Sequence, residues 1–372
     1  MTRFFEFDTL TWPAVAALPR HTPLVIPLGN GYPPDKLADA LGRPAQIGLL
    51  PPLPFGWRGS GLAVPEAVLG RLVSNLLDSL RDDGFSRVFA LTPAGLDIGL
   101  GVERIALPAH AAPAAPLPAD SDRGKVILLP IGHTEQHGYH LPLSTDTLII
   151  NAISRGVAAA APEQAVILPA FPYGVSTHRA CFAGTLNAGG RAFEDFWLAV
   201  LDVLAARGFD RFYLLSGHGG NCSFLTNVAK YAGERQPQAF TATAWLYLSG
   251  PAGIEALEKY RRSKIGGMGH AGELETALLL HLHPELVQMA KVVDETDFVA
   301  TPSYYMDWVE GGALVANPPW TDDTATGAYG AGSLATAENG RLWLAAAIAE
   351  KVGHVAEIHE QQRRRQARRQ RG

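Results

Sequence analysis

Three blocks of sequence occur twice in this chain, in the same order, and each carries an apolar run into a turn. Leu24-Val25-Ile26-Pro27-Leu28-Gly29 matches Ile127-Leu128-Leu129-Pro130-Ile131-Gly132. Leu50-Pro51-Pro52-Leu53-Pro54-Phe55-Gly56-Trp57 matches Leu168-Pro169-Ala170-Phe171-Pro172-Tyr173-Gly174-Val175, and Gly84-Phe85-Ser86-Arg87-Val88-Phe89-Ala90-Leu91 matches Gly208-Phe209-Asp210-Arg211-Phe212-Tyr213-Leu214-Leu215. A helix precedes each last block. Its apolar stripe is Leu69, Leu72, Val73, Leu76, Leu77 and Leu80 in the first copy, and Phe193, Phe196, Trp197, Val200, Leu201 and Leu204 in the second. Both stripes have the i, i+3, i+4, i+7 spacing of a core-facing helix. Short buried strands alternating with such helices predict βαβ units and a largely parallel sheet. In that architecture the chemistry sits in loops beyond the carboxyl ends of the strands.

An Ala/Pro-rich stretch, residues 107–124, separates the copies. The expected organisation is a smaller α/β domain at 1–106, the linker, a catalytic domain at 125–358 and a basic tail at 359–372. The tail, Arg363-Arg364-Arg365 through Arg371, reads as a solvated end. With 47% hydrophobic and 18% charged residues the chain has the composition of a well-buried globular protein. A net charge of −5 gives no reason to expect nucleic acid. Two cysteines, Cys181 and Cys222, cannot build a disulfide framework or a Cys-rich zinc site. There is no signal-peptide pattern and no apolar run long enough for a membrane span, so a cytoplasmic protein is expected.

The second copy carries chemistry that the first lacks. After Val126–Leu129 comes Gly132-His133-Thr134-Glu135-Gln136-His137-Gly138, and then Leu141-Pro142-Leu143-Ser144-Thr145-Asp146-Thr147. Residues two apart on an extended segment point the same way, so Glu135 and His137 can face one ion. Gly138 and Pro142 then let the chain turn and bring Asp146 back. Leu214-Leu215-Ser216-Gly217-His218-Gly219-Gly220-Asn221 ends a strand in a Gly-rich turn with one imidazole. Gly269-His270-Ala271-Gly272-Glu273-Leu274-Glu275 leads a loop into an apolar helix. On that helix Glu273 and Glu275 lie about 200° apart, so one suits a ligand and the other a supporting or helix-terminal role. Each motif alone is also what a polar loop or a helix start offers. Together, Glu135, His137, Asp146, His218 and Glu273 make a set of three carboxylates and two imidazoles. That set suits two metals with Asp146 as the bridge, and two ions about 3.5–4 Å apart can activate one water and polarise a carbonyl. With Gly29 set on Gly132, Tyr32 stands at the Glu135 position and Pro34 at that of His137, and Ala94 stands at that of His218. The first copy therefore has the scaffold without the ligands.

These motifs resemble those of the creatininase (creatinine amidohydrolase) family. The resemblance also runs through Pro172-Tyr173-Gly174, His178, Gly184-Thr185 and Leu334-Ala335-Thr336-Ala337-Glu338-Asn339-Gly340-Arg341. It covers about residues 125–355. It implies a three-layer αβα sandwich, a two-metal site (zinc above all, otherwise manganese or iron) and homo-oligomers. It further implies that Glu135, His137, Asp146, His218 and Glu273 are ligands, His270 a proton donor or substrate contact and His178 a pocket residue. One departure matters: Gly217-His218-Gly219-Gly220 stands where creatininase itself carries Gly-His-Tyr-Glu, which argues against creatinine and moves a ligand role to Glu273.

The expected activity is metal-dependent hydrolysis of a small or cyclic amide, with His270 or Glu275 protonating the leaving nitrogen. The partners expected are a small-molecule amide and further copies of the chain, with neither nucleic acid nor membrane. The alternatives are a metallopeptidase trimming a small modified peptide, and a non-catalytic scaffold.

Overall fold

The computed structural model describes residues 2–99, 102–108, 116–177, 181–307 and 313–371. Along the first lobe run β1 (Arg3–Glu6), α1 (Trp12–Ala16), β2 (Leu24–Pro27), α2 (Pro34–Ala40), β3 (Gln46–Leu49), α3 (Glu66–Asp82), β4 (Val88–Pro93) and β5 (Arg104–Leu107). The second lobe holds β6 (Val126–Ile131), α4 (Thr145–Ala160), β7 (Ala165–Ile167), α5 (Gly190–Ala206), β8 (Arg211–Ser216), α6 (Cys222–Arg235), β9 (Phe240–Ala244), α7 (Pro251–Tyr260), β10 (Met268–His270), α8 (Glu273–Leu282), β11 (Tyr329–Gly330) and α9 (Ala337–Arg369).

Each lobe is built on a parallel sheet, as the alternation of strand and helix predicts. The strand orders are β1-β3-β2-β4-β5 and β7-β6-β8-β9. Setting β2 on β6 puts β3 on β7, β4 on β8 and β5 on β9, so the corresponding strands lie in the same order. The loops after β2 and β6 also begin alike. Leu28 bridges Leu53 in parallel, and Ile131 bridges Phe171. The Gly29 and Gly132 N–H groups then donate to Leu53 O and Phe171 O at 2.9 and 2.8 Å. A fifth strand, β1, widens the first sheet, and β10 pairs antiparallel with β11 outside both sheets.

Alternation along β6 shows how the layers stack. Ile127, Leu129 and Ile131 face a core that also holds α3 and α5, while Val126 and Leu128 face a second core with α4, α8 and α9. In the first sheet Leu24 and Ile26 enter the shared core, and Val25 turns to α2. The helices α3 and α5 are therefore packed between the two sheets. Helices cover both faces of the second sheet, which gives the αβα sandwich. The basic run is solvated, with Arg363 and Arg364 exposed, and it forms the last turns of α9. The buried Gln362 just before it and Gln366 within it donate to Asp210, which holds this end of the helix against the second lobe. Of the linker at 107–124, residues 109–115 lie outside the described residues. No helix among the described residues is long and apolar enough to cross a membrane.

Candidate metal centre

Three chain segments meet beyond the carboxyl ends of β6 and β8. The first leaves β6 extended, so His133, Glu135 and His137 project to one side at intervals of two residues. The second is the start of α4, whose second residue is Asp146. The third is the turn after β8 that carries His218. A fourth element joins from outside the sheet, the β10–α8 turn with His270 and Glu275. All these side chains are buried: Glu135 and His137 are 0% exposed, and Glu275, the most open of the acids, 4%.

Asp146 sits between two imidazoles. Its Oδ1 is 3.1 Å from His137 Nε2, and its Oδ2 is 3.2 Å from His218 Nδ1. Glu135 Oε1 lies 3.1 Å from His218 Nδ1, and Glu275 Oε2 lies 3.8 Å from His137 Nε2. The site thus has two halves that share Asp146: Glu135 and His218 on one side, His137 and Glu275 on the other. Burial and donor spacing single out His137, Asp146 and Glu275 as one group able to hold an ion, with Glu135, His137 and His270, and His133, Glu135 and His218, as two more.

The outward contacts of each imidazole fix which nitrogen faces the centre. His218 Nε2 is 3.0 Å from Val175 O, and His137 Nδ1 is 3.1 Å from Glu135 O. A carbonyl only accepts, so those nitrogens carry protons, and the inward nitrogens offer lone pairs once the ring is neutral. His270 likewise donates from Nε2 to Gln136 O at 2.8 Å, which turns Nδ1 to within 3.6 Å of Glu135 Oε1. His133 differs. Its Nδ1 accepts the Gly174 N–H at 2.9 Å, so its proton sits on Nε2, which faces Glu135 Oε2 at 3.9 Å. That points the Nε2–H of His133, rather than a lone pair, toward Glu135. The turn that presents His218 needs glycine at 220, where an added Cβ would lie 2.4 Å from His218 Nε2 and 2.3 Å from Val175 O.

The electrostatics ask for positive charge. Burial by itself pulls the pKa of His137 and His218 down. The carboxylates outweigh it and raise both to about 9, with Asp146 foremost at His137 and Glu135 at His218. Burial pushes Asp146 up, yet His137 and His218 hold it below the ordinary carboxylate range. Three buried carboxylates ringed by lone-pair nitrogens form a hard-oxygen and imidazole donor set, which fits divalent zinc or manganese. The same groups stay drawn toward protonation when no cation neutralises them.

The two glutamates of α8 part company. Glu275 Oε2 accepts the Ala271 N–H at 2.6 Å. Ala271 itself sits at φ +50, in the left-handed region that costs a non-glycine residue energy. That turn aims His270 and Glu275 at one point. Glu273 points elsewhere, and its carboxylate accepts the Arg262 N–H at 2.9 Å and the Ser263 N–H at 2.7 Å. The structure thus brings Glu135, His137, Asp146, His218 and His270 together with Glu275, and turns the Glu273 carboxylate to the loop that follows α7. His178 lies outside the described residues. His133 joins the site as well, one two-residue step back from Glu135 along the same extended segment. Gln136, which no motif singles out, donates to Gly327 O at 2.8 Å and accepts the Gly138 N–H at 3.0 Å.

The model of the creatininase family, described as creatinine amidohydrolase, matches residues 115–355. A mycofactocin precursor peptide peptidase of Mycobacterium ulcerans is 32% identical over 237 residues, spanning 62% of this chain and 84% of that protein. A creatinine amidohydrolase of Pseudomonas putida is 30% identical over 182 residues, 45% of this chain and 68% of its own length. Among solved structures, a manganese creatininase superposes with a TM-score of 0.52 at 24% identity, covering 65% of this chain and 93% of that one.

Proposed function

The chain belongs to the creatininase family of amidohydrolases, and from that premise we propose that it hydrolyses the C–N bond of a small or cyclic amide at a two-metal centre. The observation that carries this reading is Asp146, placed with one oxygen toward each half of the site. Glu135, Asp146 and His218 would hold one divalent ion, and His137, Asp146 and Glu275 the other. Such ions supply Lewis acidity and acidify a water molecule.

The remaining roles belong to the protein's own groups. Burial keeps bulk water from the reacting centre and strengthens each charge interaction there. The backbone carbonyls of Glu135 and Val175 orient His137 and His218 in the two halves through hydrogen bonds. His270 has a lone pair at Nδ1 on the side of Glu135, so it can hold a proton and deliver it to the departing nitrogen. Ala271 fixes Glu275 by its N–H, and Glu273 secures the loop at 262–263. Zinc and manganese both fit the donor set. We further read residues 1–106 as a degenerate, metal-free copy of the second lobe. The shared strand order supports this, as does Tyr32, whose hydroxyl returns to Leu28 O at 2.7 Å from the position matching Glu135.

A second reading has its own support in the mycofactocin-peptide relative: a metallopeptidase that trims a small modified peptide. One experiment separates the two. The purified protein is assayed against cyclic amides, formamides and short peptides, with and without chelator, and its metal content is measured. Chelator-sensitive turnover of the non-peptide amides supports the first reading, and turnover of peptides alone supports the second. A protein that binds no divalent ion sinks both.

A further inference from the structure

We propose that the N-terminal lobe is a working part of the metal centre: its strap Asp8–Trp12 fixes the turn that delivers Asp146, and Trp12 locks that strap to the opposite rim. The inference rests on the metal-dependent reading above. It concerns residues outside the matched family region, which begins at 115.

The strap lies along the approach to α4. The Leu143 N–H donates to Leu10 O at 2.9 Å, and the Ser144 N–H donates to Asp8 O at 3.0 Å. Ser144 caps α4, and Asp146 is the second residue of that helix. Leu143 and Ser144 lie just before the helix, so whatever accepts their N–H groups sets how the chain enters its first turn. Here the acceptors come from the other lobe.

Trp12 closes the brace. Its indole N–H donates to Thr326 O at 2.7 Å. The neighbouring carbonyl, Gly327 O, accepts from Gln136, whose own backbone carbonyl takes the proton of His270 Nε2. The Trp12 ring also lies 5.5 Å from Tyr139 and 5.2 Å from Phe182. The Trp12 side chain thus joins the 133–140 segment, Phe182 and the 324–329 segment, while the backbone just before it holds the Asp146 turn.

A second route runs from α3. Asp83 Oδ2 accepts the Gly184 N–H at 2.7 Å, and Ser79 Oγ accepts the Asn187 N–H at 3.0 Å. Between them Thr185 Oγ1 accepts the Gln136 N–H at 3.1 Å. The lobe therefore reaches the ligand-bearing segment from both sides. Groups that orient metal ligands from outside typically change affinity by about 10–100-fold when removed.

The test uses the full chain with Co²⁺ as probe, reading its affinity by titration, hydrogen exchange over residues 141–148 and thermal stability. Trp12→Ala should weaken Co²⁺ binding by about tenfold or more and speed exchange at Leu143 and Ser144. Trp12→Phe, which keeps an aromatic ring and loses the N–H, should fall between. Ile47→Ala serves as the control, because it empties part of the first lobe's far core without touching the strap. It should lower stability and leave Co²⁺ affinity within about twofold, well short of that tenfold effect. Wild-type affinity and exchange in Trp12→Ala would overturn the proposal. So would an equal loss of affinity in Ile47→Ala, which would reduce the lobe's role to bulk stability. A wild-type protein that binds no Co²⁺ overturns the metal-dependent reading instead, and exchange at Leu143 and Ser144 still decides whether the brace exists.

Discussion

Gly340 lies where α9 crosses α8, and replacing it with alanine should disturb the metal centre from a distance. A Cβ at 340 would sit 1.9 Å from Ala277 O, 2.4 Å from Ala277 C and 3.0 Å from Leu278 N. Cβ atoms do not approach a carbonyl oxygen closer than about 3 Å, so the two helices must part by about 1 Å or more at this point. The obstruction is main chain on both sides, and no side chain can swing away to relieve it. Two effects then compete. Alanine favours helix over glycine by about 0.5–1 kcal/mol. Forcing extra volume into a packed contact costs about 1–3 kcal/mol, and the backbone clash puts this case at the upper end. The net expectation is a loss of about 1–2 kcal/mol in urea unfolding. The functional consequence follows from Ala277 being two residues past Glu275 on the same buried helix. A catalytic constellation tolerates displacements of about 0.5 Å, so α8 carries Glu275 out of register with His137, and divalent metal affinity should fall by about tenfold. Unfolding and Co²⁺ titration of the variant read both effects. If Gly340→Ala is as stable as the wild type and binds metal equally well, helix propensity has won and the reasoning from the crossing is wrong.

Three further outcomes are expected. Glu275→Gln should lower bound metal measured by elemental analysis, whereas Glu273→Gln should keep the metal and lose about 1–3 kcal/mol of stability through its loop contacts; the reverse pattern would restore Glu273 as the ligand. Asp146→Ala should lose both ions and all turnover, and a variant with full metal content would refute the bridging role. Asp8 has its carboxyl raised from 3.8 to about 6, first by burial and also by Glu6. A raised acid pKa means that the folded state holds the proton more tightly. The corresponding stability is present below pH 3.8 and is lost as pH rises through 6, by up to about 3 kcal/mol. Asp8→Asn should therefore flatten the fall in stability between pH 4 and 6 and raise the unfolding midpoint at pH 7.5, and an unchanged pH profile would show that Asp8 is not desolvated.

Much of this protein is legible in its sequence because it depends on local periodicity. The stripes of α3 and α5 are set by a 3.6-residue repeat, and the burial of β6 on both faces by an unbroken apolar run. The Glu135–His137 pair follows from the two-residue alternation of extended chain, and Asp146 and His218 from punctuation by Gly and Pro. The parallel sheets and four members of the cluster were thus expected from order along the chain. Local order cannot say which of two glutamates on one helix looks inward. The helix geometry separates Glu273 from Glu275 by angle, but the direction of the core is set by the left-handed turn at Ala271 and by the packing of α9 on α8. Nor can it say which ring nitrogen of His133 bears a proton, since that is decided by the Gly174 N–H, 41 residues away. The strap at Asp8–Trp12 is the extreme case. Nothing in those residues announces a metal centre, and they reach it only because α3 and α5 pack between two sheets and bring the first lobe's leading segment against the start of α4.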